Sequence, residues 1–174
     1  ISPTFNEAEN VPRLVAQLGR VLEGIDYEIL IVDDNSPDGT WSIAQEISLT
    51  NPRVRVIRRM HNPSLGAAVI DGFAAATGDA LACIDADLQH DPAILPAMLE
   101  ELHKGSEVVV ASRYREGGGT ERWNWARRIP DGTAAHAKLQ RTAARPSVDM
   151  KRAPTATFCC PRFTLFSRAS AGSA

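Results

Sequence analysis

Apolar residues recur along the first two thirds of the chain in two alternating rhythms. Between 9 and 22, Val11, Leu14, Val15, Leu18 and Leu22 fall three or four apart, which predicts a helix. Asn6 or Glu7 is expected to cap its start, and Gly24 to end it. Residues 27–32 form a run, apolar apart from Glu28 and rich in β-branched side chains, that stops at Asp33-Asp34, the mark of a buried strand. Trp41, Ala44 and Ile47 then give helical spacing over 40–47, and 54–57 reads as a short strand. An alanine-rich helix is expected over 65–76, closed by Thr77-Gly78-Asp79. The next buried strand, 80–84, again ends in an acid, Asp85. Pro92 suits the first turn of a helix over 92–103, with Asp91 as its N-cap. A last strand, 108–111, leads into Ser112-Arg113-Tyr114. Ser2-Pro3 reads as the end of a first strand whose beginning is expected to be missing.

Helix and strand in alternation predict an α/β fold, with a mainly parallel sheet and helices on both faces, Rossmann-like in kind. Ligands of such sheets bind beyond the carboxyl ends of the strands. Asp33, Asp34, Asp85, Asp87 and Arg113 all fall there.

The pattern changes near residue 129. Beyond it Ala, Arg, Thr, Ser and Pro dominate, and only 134–139 has helical character. Two parts are expected: a catalytic domain over 1–128, and an atypical tail over 129–174 whose end, from 167, is disordered. With 174 residues, 44% of them hydrophobic, the chain can bury a sizeable core. A net charge of −2 speaks against a general nucleic-acid binder. Cys83, Cys159 and Cys160 have no metal-binding or disulfide spacing, which fits a reducing compartment. No apolar run is long enough to span a bilayer, and no signal peptide is recognisable.

Four segments carry candidate chemistry. In Asp85-Ala86-Asp87-Leu88-Gln89, two carboxylates flank one small residue at a buried strand's end, and both can converge on a cation. Mg²⁺ and Mn²⁺ take such oxygen ligands and share them with substrate phosphates; Gln89 adds a neutral oxygen. Because Asp91 is the better cap for the Pro92 helix, Asp85 and Asp87 are left without a structural task. In Val32-Asp33-Asp34-Asn35-Ser36-Pro37-Asp38-Gly39-Thr40, an acid after the strand can accept from a ribose or base, or the segment is only an Asx-rich turn. Pro3-Thr4-Phe5-Asn6-Glu7 follows the first strand, beside Asp34. Arg113, followed by the glycines at 117–119, suits a loop closing on an anion, or a solvated surface loop. Trp123, Trp125, Arg127 and Arg128 could meet a membrane interface or a lipid phosphate, or could open an amphipathic helix. The four histidines lack paired zinc spacing, and neither a P-loop nor a Gly-x-Ser-x-Gly elbow is present.

Together, from Ser2 to about Arg128, these segments resemble the family-2 glycosyltransferases of the GT-A fold, of the dolichyl- or polyprenyl-phosphate mannosyltransferase kind. The resemblance implies an inverting, metal-dependent transfer of mannose from GDP-mannose to a polyprenyl phosphate, by an enzyme held peripherally at the cytoplasmic face of a membrane. It implies that Pro3, Phe5, Glu7, Val32 and Asp34 hold the guanosine, and that Asp85, Asp87 and Gln89 hold Mg²⁺ or Mn²⁺ on the diphosphate, with Ala86 beside them. Arg113 would contact a phosphate and act with Asp87 in catalysis, and Arg127 or Arg128 would meet the lipid phosphate. Phe5 stands where the family often has Tyr, and 61–66 lacks the family's glycine-rich, basic approach to Leu-Gly. Pro130-Asp131-Gly132 breaks the expected next helix, and a shifted reading frame near residue 129 is expected to account for the tail. Three other readings stand beside this one. They are a UDP-sugar-dependent transferase of the same fold, an inactive nucleotide-binding fragment, and a metal-dependent nucleotidyltransferase.

Overall fold

A computed structural model of the chain describes residues 1–111 and the backbone of 163–167. Its elements are β1 (Ser2–Thr4), α1 (Asn10–Val21), β2 (Ile29–Asp33), α2 (Thr40–Thr50), β3 (Val54–Arg58), α3 (Leu65–Ala75), β4 (Ala80–Ile84), a 3₁₀ turn (Pro92–Ile94) leading into α4 (Leu95–His103), β5 (Val108–Val110) and β6 (Phe163–Ser167). Strands β1, β2 and β3 pair in parallel. Two bonds join them to β4: the Ile1 nitrogen donates to the Ala82 carbonyl at 2.7 Å, and the Ile84 N–H donates to the Ile1 carbonyl at 3.0 Å. The strand order across the sheet is therefore β3-β2-β1-β4-β6-β5.

The two faces of β2 show how the sequence builds the layers. Side chains alternate along a strand, so odd and even positions face opposite ways. Ile29 and Ile31 pack with Val11, Leu14, Val15 and Leu18 of α1, Ala44 of α2, and Leu95, Met98 and Leu102 from the α4 region. Leu30 and Val32 pack on the other face with Ala68 of α3. Because both faces are covered, β2 has no polar residue until Asp33, as a buried parallel strand requires.

The elements match the expected ones to within a few residues, with small shifts at their ends. Helix α1 begins at Asn10, with Glu9 rather than Asn6 or Glu7 as its N-cap. Glu7 still serves that end: its carbonyl accepts from the N–H groups of Asn10 and Val11. Asp91 caps the Pro92 turn as expected, accepting from the Ala93 N–H at 2.9 Å. Strand β6 is the real difference. No element was expected at 163–167, yet this stretch runs antiparallel between β4 and β5. Its composition, Phe-Thr-Leu-Phe-Ser, suits a strand, but five residues are too few for a period to stand out. The helix expected at 134–139 and the disorder expected after 167 lie outside the described residues.

Helix α3 approaches the sheet closely at Gly72. A β-carbon there would lie 2.4 Å from Ile1 Cγ2 and 3.1 Å from Val32 Cγ2. Gly72→Val gains a few tenths of a kcal/mol in helix propensity. Overpacking against the sheet outweighs this, so a net loss of about 1–3 kcal/mol is expected in urea unfolding. An unchanged midpoint would mean that α3 does not bear on the sheet at this point.

Candidate functional site

The carboxyl ends of β1, β2 and β4 lie side by side, and the candidate residues of the first 111 positions gather there. The loops after β1 and β2 are stitched together through Asp33, which is fully buried. Its carboxylate accepts from the Thr4 hydroxyl at 2.9 Å, the Ser36 N–H at 2.8 Å and the Ser36 hydroxyl at 2.6 Å. Ser36 Oγ in turn accepts from the Asn6 N–H at 3.0 Å. A second tie runs through Thr40, whose hydroxyl donates to Asp38 at 2.6 Å and accepts from the Glu7 N–H at 2.9 Å. Asn6 (φ 59°) and Asn35 (φ 55°) take the left-handed turns that start the two loops, a backbone region asparagine tolerates well.

Asp34 points to the other face, toward α3. One of its carboxylate oxygens pairs with Arg59, and the other accepts from the Ser64 N–H at 2.8 Å. Arg59 also reaches Asp71 at 2.7 Å and the Asn62 carbonyl at 3.2 Å. Partial burial pulls the Arg59 guanidinium's proton affinity down, but Asp71 and Asp34 more than reverse this and hold it above the ordinary arginine value. Arg59 was not singled out from the sequence, because an arginine just past a short strand looks like a solvated one. Beside it, Arg58 forks onto the Asn35 side-chain oxygen and lies 3.6 Å from the Trp41 ring centroid.

The residues expected to hold the guanosine therefore separate. Phe5 is 56% exposed at the edge, so its ring is available to a flat partner. Glu7 is half-buried, and one of its carboxylate oxygens accepts from Asn10 Nδ2 at 2.6 Å. Asp34 stands at the rim with both oxygens already engaged. Two of the expected residues have their side chains in the core. The Val32 side chain is fully buried under α3, because its strand position faces the core, and so it cannot reach a ligand. Pro3 is likewise buried within β1, in register with Val32. Its place has a backbone reason. Ile1 uses its N–H and carbonyl toward β4, Ser2 faces β2, and Pro3 faces β4 again with no N–H to give. The β1–β4 ladder weakens there, where β4 gives way to Asp85.

Past β4, Asp85, Asp87 and His90 each present a ligand atom, and these atoms lie within 4.8 Å of one another. β4 ends at Ile84 and the chain turns over Ala86 and Asp87, which brings the two acids together while Ala86, buried to 2% exposure, packs in the core. Leu88 (φ 56°) reverses the chain and packs against the same core. Gln89 is exposed, and its N–H donates to Asp87 at 3.0 Å. The sequence reading missed His90, having tested histidines only for paired zinc spacing. The signal was the Asp-x-Asp-x-x-His interval. The donor set, two carboxylates and an imidazole, fits a divalent cation. Arg113, Arg127 and Arg128 lie outside the described residues.

A Rossmann-like sheet with an Asp-x-Asp pair just beyond a central strand defines the GT-A class of proteins. The model of glycosyl transferase family 2 matches residues 1–172, and the chain belongs to that family. It is similar to the dolichol-phosphate mannosyltransferase of Pyrococcus furiosus, 46% identical over 129 residues, which are 74% of this chain and 36% of that protein. It is also similar to the polyprenol monophosphomannose synthase of Mycolicibacterium smegmatis, 38% identical over 138 residues, 77% of this chain and 51% of that one. The chain thus spans between about a third and a half of the length of these curated relatives. Among solved structures it resembles in fold the mannosyltransferase PcManGT from Pyrobaculum calidifontis in complex with GDP-Man and Mn²⁺ (TM-score 0.51, 23% identity, covering 64% of this chain and 34% of that one). Glucosyl-3-phosphoglycerate synthase from Mycobacterium tuberculosis gives a TM-score of 0.54 at 25% identity, covering 67% and 43%.

The tie through Asp38 makes the loops sensitive to acid. Partial burial raises its carboxyl pKa, but bonds from the Thr40 hydroxyl and the N–H groups of Thr40 and Ala8 outweigh that and hold it below its ordinary 3.8. A carboxyl depressed by folding stabilises the fold above its unfolded value, and the stabilisation is lost as pH falls through the lower folded value. Denaturant unfolding from about pH 4 down to pH 2 should show Asp38→Asn losing less stability than the parent chain. Parallel curves for the two would remove Asp38 as an acid-sensitive tie.

Proposed function

We propose that this chain carries the donor-binding part of an enzyme that transfers mannose from GDP-mannose to a polyprenyl or dolichyl phosphate, with inversion at the anomeric carbon. The observation that bears most weight is the convergence of Asp85 and Asp87 at the carboxyl edge of the sheet. The names of the two relatives, at 46% and 38% identity, support the sugar and the lipid class of acceptor.

Each residue has a physical task in this reading. Phe5 stacks on the base, while Glu7 and Asp34 stand at the same rim. Asp85 and Asp87 hold the cation that the diphosphate shares; when bound, it offsets the negative charge developing on the leaving GDP. The acceptor phosphate is already anionic at neutral pH, so alignment matters more than a strong base. Arg113 steadies a phosphate, and Arg127 or Arg128 meets the lipid phosphate. Among the described residues no helix is long and apolar enough to cross a membrane. The proposed location is peripheral, at the cytoplasmic face, where a lipid phosphate can be reached.

Titration calorimetry tests the reading. With Mn²⁺ present, GDP-mannose should bind at least about tenfold more tightly than UDP-glucose, a difference near 1.4 kcal/mol. Asp87→Ala should abolish the metal-dependent part. Metal-dependent binding of GDP-mannose kept in full by the Asp87→Ala chain would overturn the metal reading. Tighter binding of UDP-glucose would move the assignment to a UDP-sugar transferase of the same family.

A further inference from the structure

Asp34 stands at the nucleotide rim, and the side chain that holds its carboxylate is Arg59. We infer that Arg59 is the positioning residue of this rim. It fixes the Asp34 carboxylate in one orientation, and so sets the strength of nucleotide binding without touching the nucleotide. This inference rests on the proposed function for the role of Asp34.

The contacts of Arg59 run to three separate segments. Nη1 pairs with Asp34, just past β2. Nε reaches Asp71 of α3 at 2.7 Å. Nη2 donates to the Asn62 carbonyl at 3.2 Å, and Nη1 also faces the Ser64 carbonyl at 3.5 Å. The Arg59 backbone N–H donates to the Asp33 carbonyl at 2.8 Å. The residue is tied at both ends, and swinging outward would break charge-assisted bonds to two carboxylates. Ser64 closes the arrangement from the other side, its N–H donating to the second Asp34 oxygen at 2.8 Å. Asn62 (φ 53°) supplies the left-handed turn between Arg59 and Ser64.

Donor and acceptor capacity then assigns the roles. A guanidinium has five N–H donors, and the four side-chain bonds of Arg59 engage most of them. An ionised carboxylate has about four acceptor sites, and the two bonds described for Asp34 leave room for more. Asp34 can still accept from a nucleotide, while Arg59 has little left to give. A guanine edge offers N–H donors, which suit a carboxylate and not a guanidinium. A carboxylate free to turn would lose that freedom on binding; this one has lost it already in folding.

A double-mutant cycle tests the inference, with GDP titrated calorimetrically into the full chain in the presence of Mn²⁺. Asp34→Ala and Arg59→Gln should each lower GDP affinity about tenfold or more, the contribution of one hydrogen bond to a charged group. Arg59→Gln added to Asp34→Ala should cost nothing further, because its effect passes through Asp34. Mn²⁺ affinity should hold at the parent's value in each variant, since Asp85 and Asp87 follow β4, with β1 between it and β2. Arg59→Lys keeps the charge but not the planar fork that serves Asp34 and Asp71 together. It should bind GDP as weakly as Arg59→Gln, and it decides the matter if the glutamine variant does not fold. Full GDP affinity in Arg59→Lys, or losses that add in the double variant, would overturn the inference. A gain of affinity in Arg59→Gln would overturn it too, because Arg59 would then be masking Asp34. Each of these leaves the proposed function standing. Full affinity in Asp34→Ala, or no GDP binding by the parent chain, would overturn the inference together with the proposed role of Asp34.

Discussion

The site depends on one buried carboxylate. Asp33 is fully enclosed, and an ionised group in such a place is tolerated only when its oxygens are well bonded. The bonds it accepts come from Thr4 at the end of β1 and from Ser36 in the loop after β2. Satisfying one charge therefore aligns two loops from different strands. Phe5 and Glu7 on one loop, and Asp34 on the other, hold their relative places because Asp33 sits beneath them. It is a positioning residue, below the surface that a ligand would meet.

Adjacent acids at a strand end also mark where sequence reasoning stopped. Asp33 and Asp34 are equal in chemistry, and an apolar run buried on both faces does not say which acid turns inward. The packing of α3 decides it: Asp34 follows Leu30 and Val32 toward that helix and meets Arg59 and Ser64. Local periodicity was enough to place the helices, because each shows its stripe within its own dozen residues. It was also enough to place the strands of the first 111 residues, of which β2 and β4 are apolar runs that end sharply in acids. The role of Val32 was not readable in the same way, since a resemblance of motifs does not distinguish a side chain from a backbone. Strand β6 and the partners of Arg59 depend on residues far away in the chain, so no local pattern announces them.

Pro3 shows how a backbone constraint can do the work attributed to a contact. A proline inside a sheet withholds one ladder bond, which is why it is rare away from edges. Here the missing bond falls on the β4 side, beyond the Ile1–Ala82 and Ile84–Ile1 pair. Freed from that ladder, the chain after Ile84 can leave the sheet, and it leaves at the acidic pair. The motif at the start of the chain and the motif at its middle are thus one structural feature.

That departure carries an electrostatic load. Two carboxylates whose oxygens lie within 4.8 Å repel each other. At such a distance the repulsion is about 1 kcal/mol in water and roughly 3 kcal/mol at the screening typical of a protein surface. Nothing in the sheet requires the load, because Ala86 and Leu88 alone would anchor this turn in the core. A cation between the acids turns the same repulsion into attraction. The folded chain holds these charges in place beforehand, so the energy of assembling them is spent in folding and not in binding.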